Sequence, residues 1–354
     1  LIDALKSDVM AIRSVAVTAL GNIKDKRAVP LLVQMLENPK EDDAIRANVV
    51  NALASIADPI ANPSILNALK DGNVTIRQNA VVAVGSLAIA NSVDTLIAIV
   101  KNVNELTSLR ASATESLGNI GDRKAIGVLV ERLADPNESD TVWAKVATAV
   151  GKLKSLTVPE WVEQRAKDTW ESVTVRVAAL YALSGTGSEK DYSTLVEMID
   201  NGTLEIRAGS AMALANTGRK SATPLIIKKL ESDGEETVRY YSAKALGVLA
   251  DPSAEQALIK AFKEDGTASV RNESALSLGI IKGKNGINAL ISIAQDTTKG
   301  ADHRWNSAKA LGDAKSTEAV PVLQKMLLEN NGEIHYQSAE ALRKITGQKQ
   351  GYEI

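Results

Sequence analysis

One short pattern recurs eleven times along this chain: an aliphatic residue, a slot that is usually arginine, then an alanine-rich stretch often closing on Ala-Leu-Gly. Ile12-Arg13 leads into Ala19-Leu20-Gly21, Val238-Arg239 into Ala245-Leu246-Gly247, and Arg304 into Ala310-Leu311-Gly312. The slot falls at Arg13, Arg46, Arg77, Arg110, Trp143, Arg176, Arg207, Arg239, Arg271, Arg304 and His335, in nearly equal steps. A fixed period in the low thirties marks a helical repeat array, in which each unit packs only on its neighbours. The fold expected is all-α, a single solenoid over residues 1–354 made of about eleven helix pairs.

Composition fits thin stacked units better than one large core. The chain has a single Phe, aromatics make up 3%, and cysteine is absent, which excludes disulfides and thiolate metal sites. No apolar run approaches the roughly 20 residues needed to span a bilayer.

Each unit reads as an outer helix, a short turn, then the arginine-bearing inner helix. Outer helices show in Ala28-Val29-Pro30-Leu31-Leu32, Ala222-Thr223-Pro224-Leu225-Ile226 and Ala319-Val320-Pro321-Val322-Leu323. The turns after them, such as Asp71-Gly72-Asn73 and Asp265-Gly266-Thr267, carry the residue types that cap helices and take unusual backbone angles. Leu1 to Leu5 reads as the tail of an outer helix whose start is missing, so the first pair is expected to be incomplete. Residues 347–354 read as a polar C-terminal tail.

The Val/Ile-Arg pair, the alanines three and six residues after it, the Leu-Gly close and the proline in several outer helices resemble the HEAT family, in its short phycobilisome-lyase-like form. The resemblance covers essentially the whole chain. It departs at Trp143 and His335 in the slot, and around Ser155 to Ser172, where Pro159, Trp161 and Trp170 stand in an outer-helix region. It implies a right-handed α-α superhelix with the arginine helix on its concave side. It also implies that the slot arginines, Arg13, Arg46, Arg77, Arg110, Arg176, Arg207, Arg239, Arg271 and Arg304, form a structural ladder bonded to adjacent turns. Asp42, Asp43, Asp140, Glu171, Glu205 and Glu236 stand nearby as partners.

The 100° step of a helix sets which inner-helix residues face outward. With the aliphatic residue before the slot as position 0, the apolar positions 4, 7, 8 and 11 cluster around a direction of about 24°. The open direction is then expected at about 204°, shared by positions 2, 6 and 9. Position 9 is usually Gly or Ala, which leaves positions 2 and 6 as the expected open surface. From the sixth unit onward these carry large side chains: Tyr181, Met212, Tyr240, Lys244, Trp305, Lys309 and Tyr336. Aromatics exposed in register suit a partner-binding surface, because they give much contact area for little lost entropy. Packing of the same side chains on neighbouring units is the competing reading. The inner segments also hold 13 of the chain's 41 Lys and Arg but only three of its 43 acids, so a chain of net charge −2 is expected to carry a basic inner layer.

Chemistry is sparse. His303 and His335 stand in different units, each alone, and no glycine-rich phosphate loop follows a strand. HEAT-like deoxyhypusine hydroxylase holds iron with His-Glu dipeptides, whereas here the histidines precede Arg304 and Tyr336. No catalytic residue, metal or cofactor is expected. The aromatics from Trp143 to Tyr192 could form a ligand pocket, but Trp161 lies where other outer helices place Leu, which favours core packing. The leading functional reading is a non-catalytic protein-interaction scaffold that holds an extended or helical segment of a partner protein. A bilin lyase subunit or chromophore carrier is the alternative that the resemblance suggests. A nucleic-acid binder like the HEAT-like DNA glycosylases is a third, disfavoured by the acidic overall balance.

Overall fold

The computed structural model describes residues 1–347 apart from 136 and 156, so the tail read over 347–354 lies, beyond its first residue, outside the described residues. Described residues form helices and turns without strands. Eleven inner helices carry the slot: α1 (Met10–Ile23), α3 (Asp43–Ile56), α5 (Val74–Ser86), α7 (Thr107–Ile120), α9 (Asp140–Lys152), α11 (Val173–Ser184), α13 (Leu204–Asn216), α15 (Glu236–Leu249), α17 (Ala268–Ile281), α19 (Ala301–Ala314) and α21 (Gly332–Thr346). Ten outer helices alternate with them: α2 (Val29–Glu37), α4 (Asn62–Ala68), α6 (Val93–Lys101), α8 (Ile126–Leu133), α10 (Trp161–Lys167), α12 (Glu189–Asn201), α14 (Thr223–Ser232), α16 (Glu255–Glu264), α18 (Lys284–Gln295) and α20 (Val320–Met326). Before α1, Asp3–Lys6 forms a single 3₁₀ turn with Leu5 buried.

The chain divides into two compact units, Leu1–Thr186 and Gly187–Ile354. Within each, inner helices pack on inner helices in one layer, and each outer helix packs on the inner helix that follows it. The turns have local causes. Asn73 and Asp42 accept hydrogen bonds from the first free N–H groups of α5 and α3. Asp25, Asp58, Asp122 and Asp251 do the same for 3₁₀ turns that lead into outer helices. Pro30, Pro63, Pro224 and Pro321 sit in the first turn of theirs, where the missing N–H has no intrahelical partner to lose.

Small side chains set how closely the inner helices approach. A Cβ built on Gly21 would stand 2.9 Å from Cα of Ala52, one on Gly312 2.6 Å from Cα of Ala341, and one on Gly279 2.7 Å from the carbonyl oxygen of Ala310. In each case position 9 of one inner helix rests on position 7 of the next. Dense apolar packing is thereby achieved with Ala, Val and Leu, consistent with the poverty in aromatics.

Gly312→Ala should therefore lower stability by about 1–3 kcal/mol, since backbone would have to move. Gly127→Ala, with nothing within 4 Å of the new methyl group, should be neutral or slightly stabilising. Equilibrium urea unfolding of the two variants side by side measures the contrast.

Candidate interaction surface on the inner helices

The slot side chains are engaged from within. Arg46, Arg110, Arg176 and Arg304 donate to the carbonyls of Leu36, Val100, Ala166 and Ala294, at 3.0, 3.4, 3.2 and 3.1 Å, each ten residues upstream at the end of the unit's outer helix. Arg13, Arg77, Arg207, Arg239 and Arg271 donate to carbonyls of the turn leading into their own helix, for example Arg239 to Asp233 at 3.0 Å and Arg271 to Asp265 at 2.8 Å. The second partner is an acid in the turn of the following unit. Arg13 pairs with Glu41 at 2.7 Å, Arg46 with Asp71 at 2.5 Å, Arg207 with Asp233 at 2.8 Å and Arg239 with Asp265 at 2.7 Å. Arg110 with Glu138 and Arg304 with Glu329 make the same bond.

The acids that stood out in the sequence have other duties. Asp43 takes an i,i+3 bond from Arg46 and a side-chain bond from Asn73 at 2.9 Å, Asp42 caps α3, and Asp140 and Glu171 bind Arg165. The working acid lies 25 to 28 residues beyond its arginine, because the rung spans to the next unit.

The two exceptions in the slot keep its donor. The fully buried Trp143 gives its indole N–H to the carbonyl of Leu133 at 3.1 Å, and a ring nitrogen of His335 lies 2.9 Å from the carbonyl oxygen of Leu327. The charge missing at Trp143 is supplied by Arg165, whose guanidinium stacks 4.2 Å over the indole. Trp161 completes the stack, its ring 5.7 Å from that of Trp143. Trp170, by contrast, is 95% exposed in the turn before α11.

Electrostatics follow these contacts. The bonds from Arg13 hold the Glu41 carboxyl below its ordinary range. Burial pushes Asp233 and Asp265 upward, but bonds from Arg207 and Arg239 and from turn N–H groups outweigh it, and both end below the usual value. His303, in the position that other units give to an aliphatic residue, is held below its ordinary value by burial and then by the charge of Arg271.

The open face of the inner helices differs from the one calculated from the apolar pattern. Position 6 is open or half-open throughout, as at Asn51, Val82, Glu115 and Lys244. Position 2 is closed wherever it holds alanine in an interior unit, at Ala47, Ala111, Ala144 and Ala208. Positions 3 and 10 are often exposed instead, at Val15, Tyr241, Val248 and Ile280. The open direction thus lies at about 270°, because neighbouring inner helices close against positions 9 and 2.

Of the seven candidate residues, Tyr181 belongs to the first unit and the other six to the second. Tyr240 and Trp305, at position 2, are half-buried at the rim of the open strip, as are Met212 and Lys309 at position 6. Lys244 is exposed, and Tyr336 is 51% exposed. Tyr240 meets Tyr241 edge-on with centroids 5.1 Å apart, and the Glu273 carboxylate acts on its phenol. Burial first, and that carboxylate second, raise the phenol above its ordinary value. Tyr241, Glu273, Val248 and Ile280 border the strip and were not among the residues expected there; reading Gly and Ala at position 9 as a contact would have found them.

Among the described residues, no group of three or more His, Asp or Glu side chains could hold a metal ion, and no helix is long and apolar enough to cross a membrane.

Two variants test the rungs. Arg110→Ala should cost about 2–4 kcal/mol, because Glu138 beneath it is buried and would lose its main counter-charge; chemical denaturation measures this directly. A carboxylate depressed by folding adds stability above its unfolded pKa near ~4 and forfeits it as pH falls through the lower folded value. Asp265→Asn should accordingly be less stable than the native chain at pH 7, with the gap in melting temperature closing in acid.

The family description "HEAT repeats" matches residues 1–71, 62–145 and 223–301, and "PBS lyase HEAT-like repeat" matches 304–329. No curated protein sequence gives a significant match. Among solved structures, the chain is similar to the CpcE–CpcF complex of phycocyanin lyase from Nostoc sp. PCC7120, at 19% identity and TM-score 0.50 over 65% of this chain and 92% of that one. It is similar to human deoxyhypusine hydroxylase at 22% identity and TM-score 0.35, over 75% of this chain and 99% of that one. The karyopherin Kap121p bound to the SUMO protease Ulp1p aligns at 14% identity and TM-score 0.46, over 97% of this chain and 44% of that one. At 19% identity the likeness to the CpcE–CpcF complex extends to the fold alone.

Proposed function

The chain belongs to the HEAT-repeat family, and from that premise we propose that it is a non-catalytic scaffold holding an extended or helical segment of a partner protein. The segment lies across the open strip of α15, α17, α19 and α21. The observation that carries this reading is a division of labour among the inner-helix side chains. The slot arginines are committed to carbonyls and turn acids inside the repeat, which leaves them little to offer a partner. Tyr336 and Lys244 stand exposed, and Tyr240, Trp305 and Lys309 stand half-exposed, on the same strip. Half-buried aromatics are well suited to recognition, since packing has already fixed their rotamers while a ring face stays available. The slot chemistry also accounts for most of the basic inner layer without a nucleic acid, since most of its arginines are paired with acids from the turns.

Selection of a random 16-residue peptide display library on the full chain, followed by affinity measurement, tests the proposal. Trp305→Ala should weaken the selected peptides by about 2 kcal/mol or more, as expected of a central aromatic anchor. The same variant should lose far less folding stability than Trp143→Ala, whose fully buried indole should cost about 3–5 kcal/mol on truncation. Selected peptides that bind Trp305→Ala as well as the native chain would overturn the assignment of the strip.

A further inference from the structure

Two of the inner helices in the second unit carry short segments identical at seven of nine positions. The α15 segment from Arg239 reads Arg-Tyr-Tyr-Ser-Ala-Lys-Ala-Leu-Gly, and the α19 segment from Arg304 reads Arg-Trp-Asn-Ser-Ala-Lys-Ala-Leu-Gly. Between them, α17 reads Arg-Asn-Glu-Ser-Ala-Leu-Ser-Leu-Gly and has neither the aromatic nor the lysine. In both matching helices the aromatic and the lysine stand four residues apart, so they are neighbours on one helix face. The result is two equivalent modules, Tyr240 with Lys244 and Trp305 with Lys309, separated by one blank helix.

Charges on this strip are used unequally. Glu273 lies near enough to the Tyr240 phenol to raise it, Asp313 receives a hydrogen bond from Lys344 at 2.6 Å, and Glu340 receives one from Arg343 at 2.8 Å. Lys244 and Lys309 have no ion-pair partner among the described residues. Asp313 and Glu340 are thus neutralised within the fold, whereas Lys244 and Lys309 are left unanswered. Complementarity calls for carboxylates, each set beside an apolar group that covers the adjoining ring.

Spacing fixes the separation of those carboxylates. Packed helices lie about 8–10 Å apart, so modules two helices apart are roughly 16–20 Å apart. An extended chain advances about 3.3 Å per residue and crosses that distance in about five or six residues. Resting on the function proposed above, we propose that the occupant is an extended segment with two carboxylates about five or six residues apart, each next to an aliphatic or aromatic side chain.

The same 16-residue display library on the full chain provides the test, with a synthetic copy of a selected peptide as the probe. Selected sequences should share two acidic residues at the stated spacing. Changing either Asp or Glu of the probe to its amide should weaken binding about tenfold, as expected for one charge-assisted hydrogen bond. Lys309→Ala should give the same loss with an unchanged melting temperature, and Lys309→Arg should restore most of the affinity. Peptides that depend on Trp305 but show no paired acids, or bind Lys244→Ala and Lys309→Ala normally, would overturn this inference and leave the scaffold reading standing. Acids about eleven to thirteen residues apart would indicate a helical occupant rising about 1.5 Å per residue and would overturn the extended one. If no peptide depends on Trp305, both readings fall together.

Discussion

A single donor, held at one position of every inner helix, ties this structure together. Its first bond goes to a carbonyl at the end of the outer helix or in the turn after it. Such carbonyls have no intrahelical partner and need one wherever they are shielded from water. In most units its second bond goes to a carboxylate in the next turn. One side chain therefore closes its own unit and attaches it to its neighbour. Trp143 separates the two tasks: its indole keeps the carbonyl bond, while Arg165 brings the charge to Asp140 and Glu171 from the outer helix. The slot needs an N–H, and the charge can be supplied from elsewhere.

That arrangement frees a different set of positions. Because the inner helices touch through Gly and Ala at positions 9 and 7, position 6 stays open or half-open in every unit, and positions 3 and 10 do so in most. Their side chains vary from Asn48 and Asn79 in the first unit to Tyr241 and Glu273 in the second. The repeat array can thus change what it presents without changing how it stacks, as expected of repeat proteins whose stability is a sum of nearest-neighbour terms.

How much of this was legible in the sequence depended on the range of the interaction. The repeat, the helix pairs and their capping turns were readable because each rests on residues within one period. The rung partners were not, because Glu41, Asp71 and Asp265 come from the following unit, while acids such as Asp42 and Asp43 stand closer along the chain. The open face was misplaced by roughly 70° because a glycine at position 9 looks like an empty position, when its missing side chain is the contact. Tyr240, Lys244, Trp305, Lys309 and Tyr336 still lie on or beside the strip, since position 6 falls in both estimates of its direction. The takeover of the slot's charge by Arg165 had no linear signature at all, for it depends on an outer helix placing a guanidinium over a ring from the preceding unit.

Each slot arginine that reaches an acid of another unit points the same way along the chain, to a carboxylate downstream. This gives the array a thermodynamic polarity that its near-repetitive sequence conceals. If a downstream unit frays, the unit left behind retains a partly buried guanidinium without its counter-charge, and a guanidinium cannot shed its proton to escape. If an upstream unit frays, the charge left behind is a carboxylate, which can bind a proton and become neutral. Local opening should therefore be easier from the N-terminal side of any rung than from its C-terminal side, and acid should widen that difference.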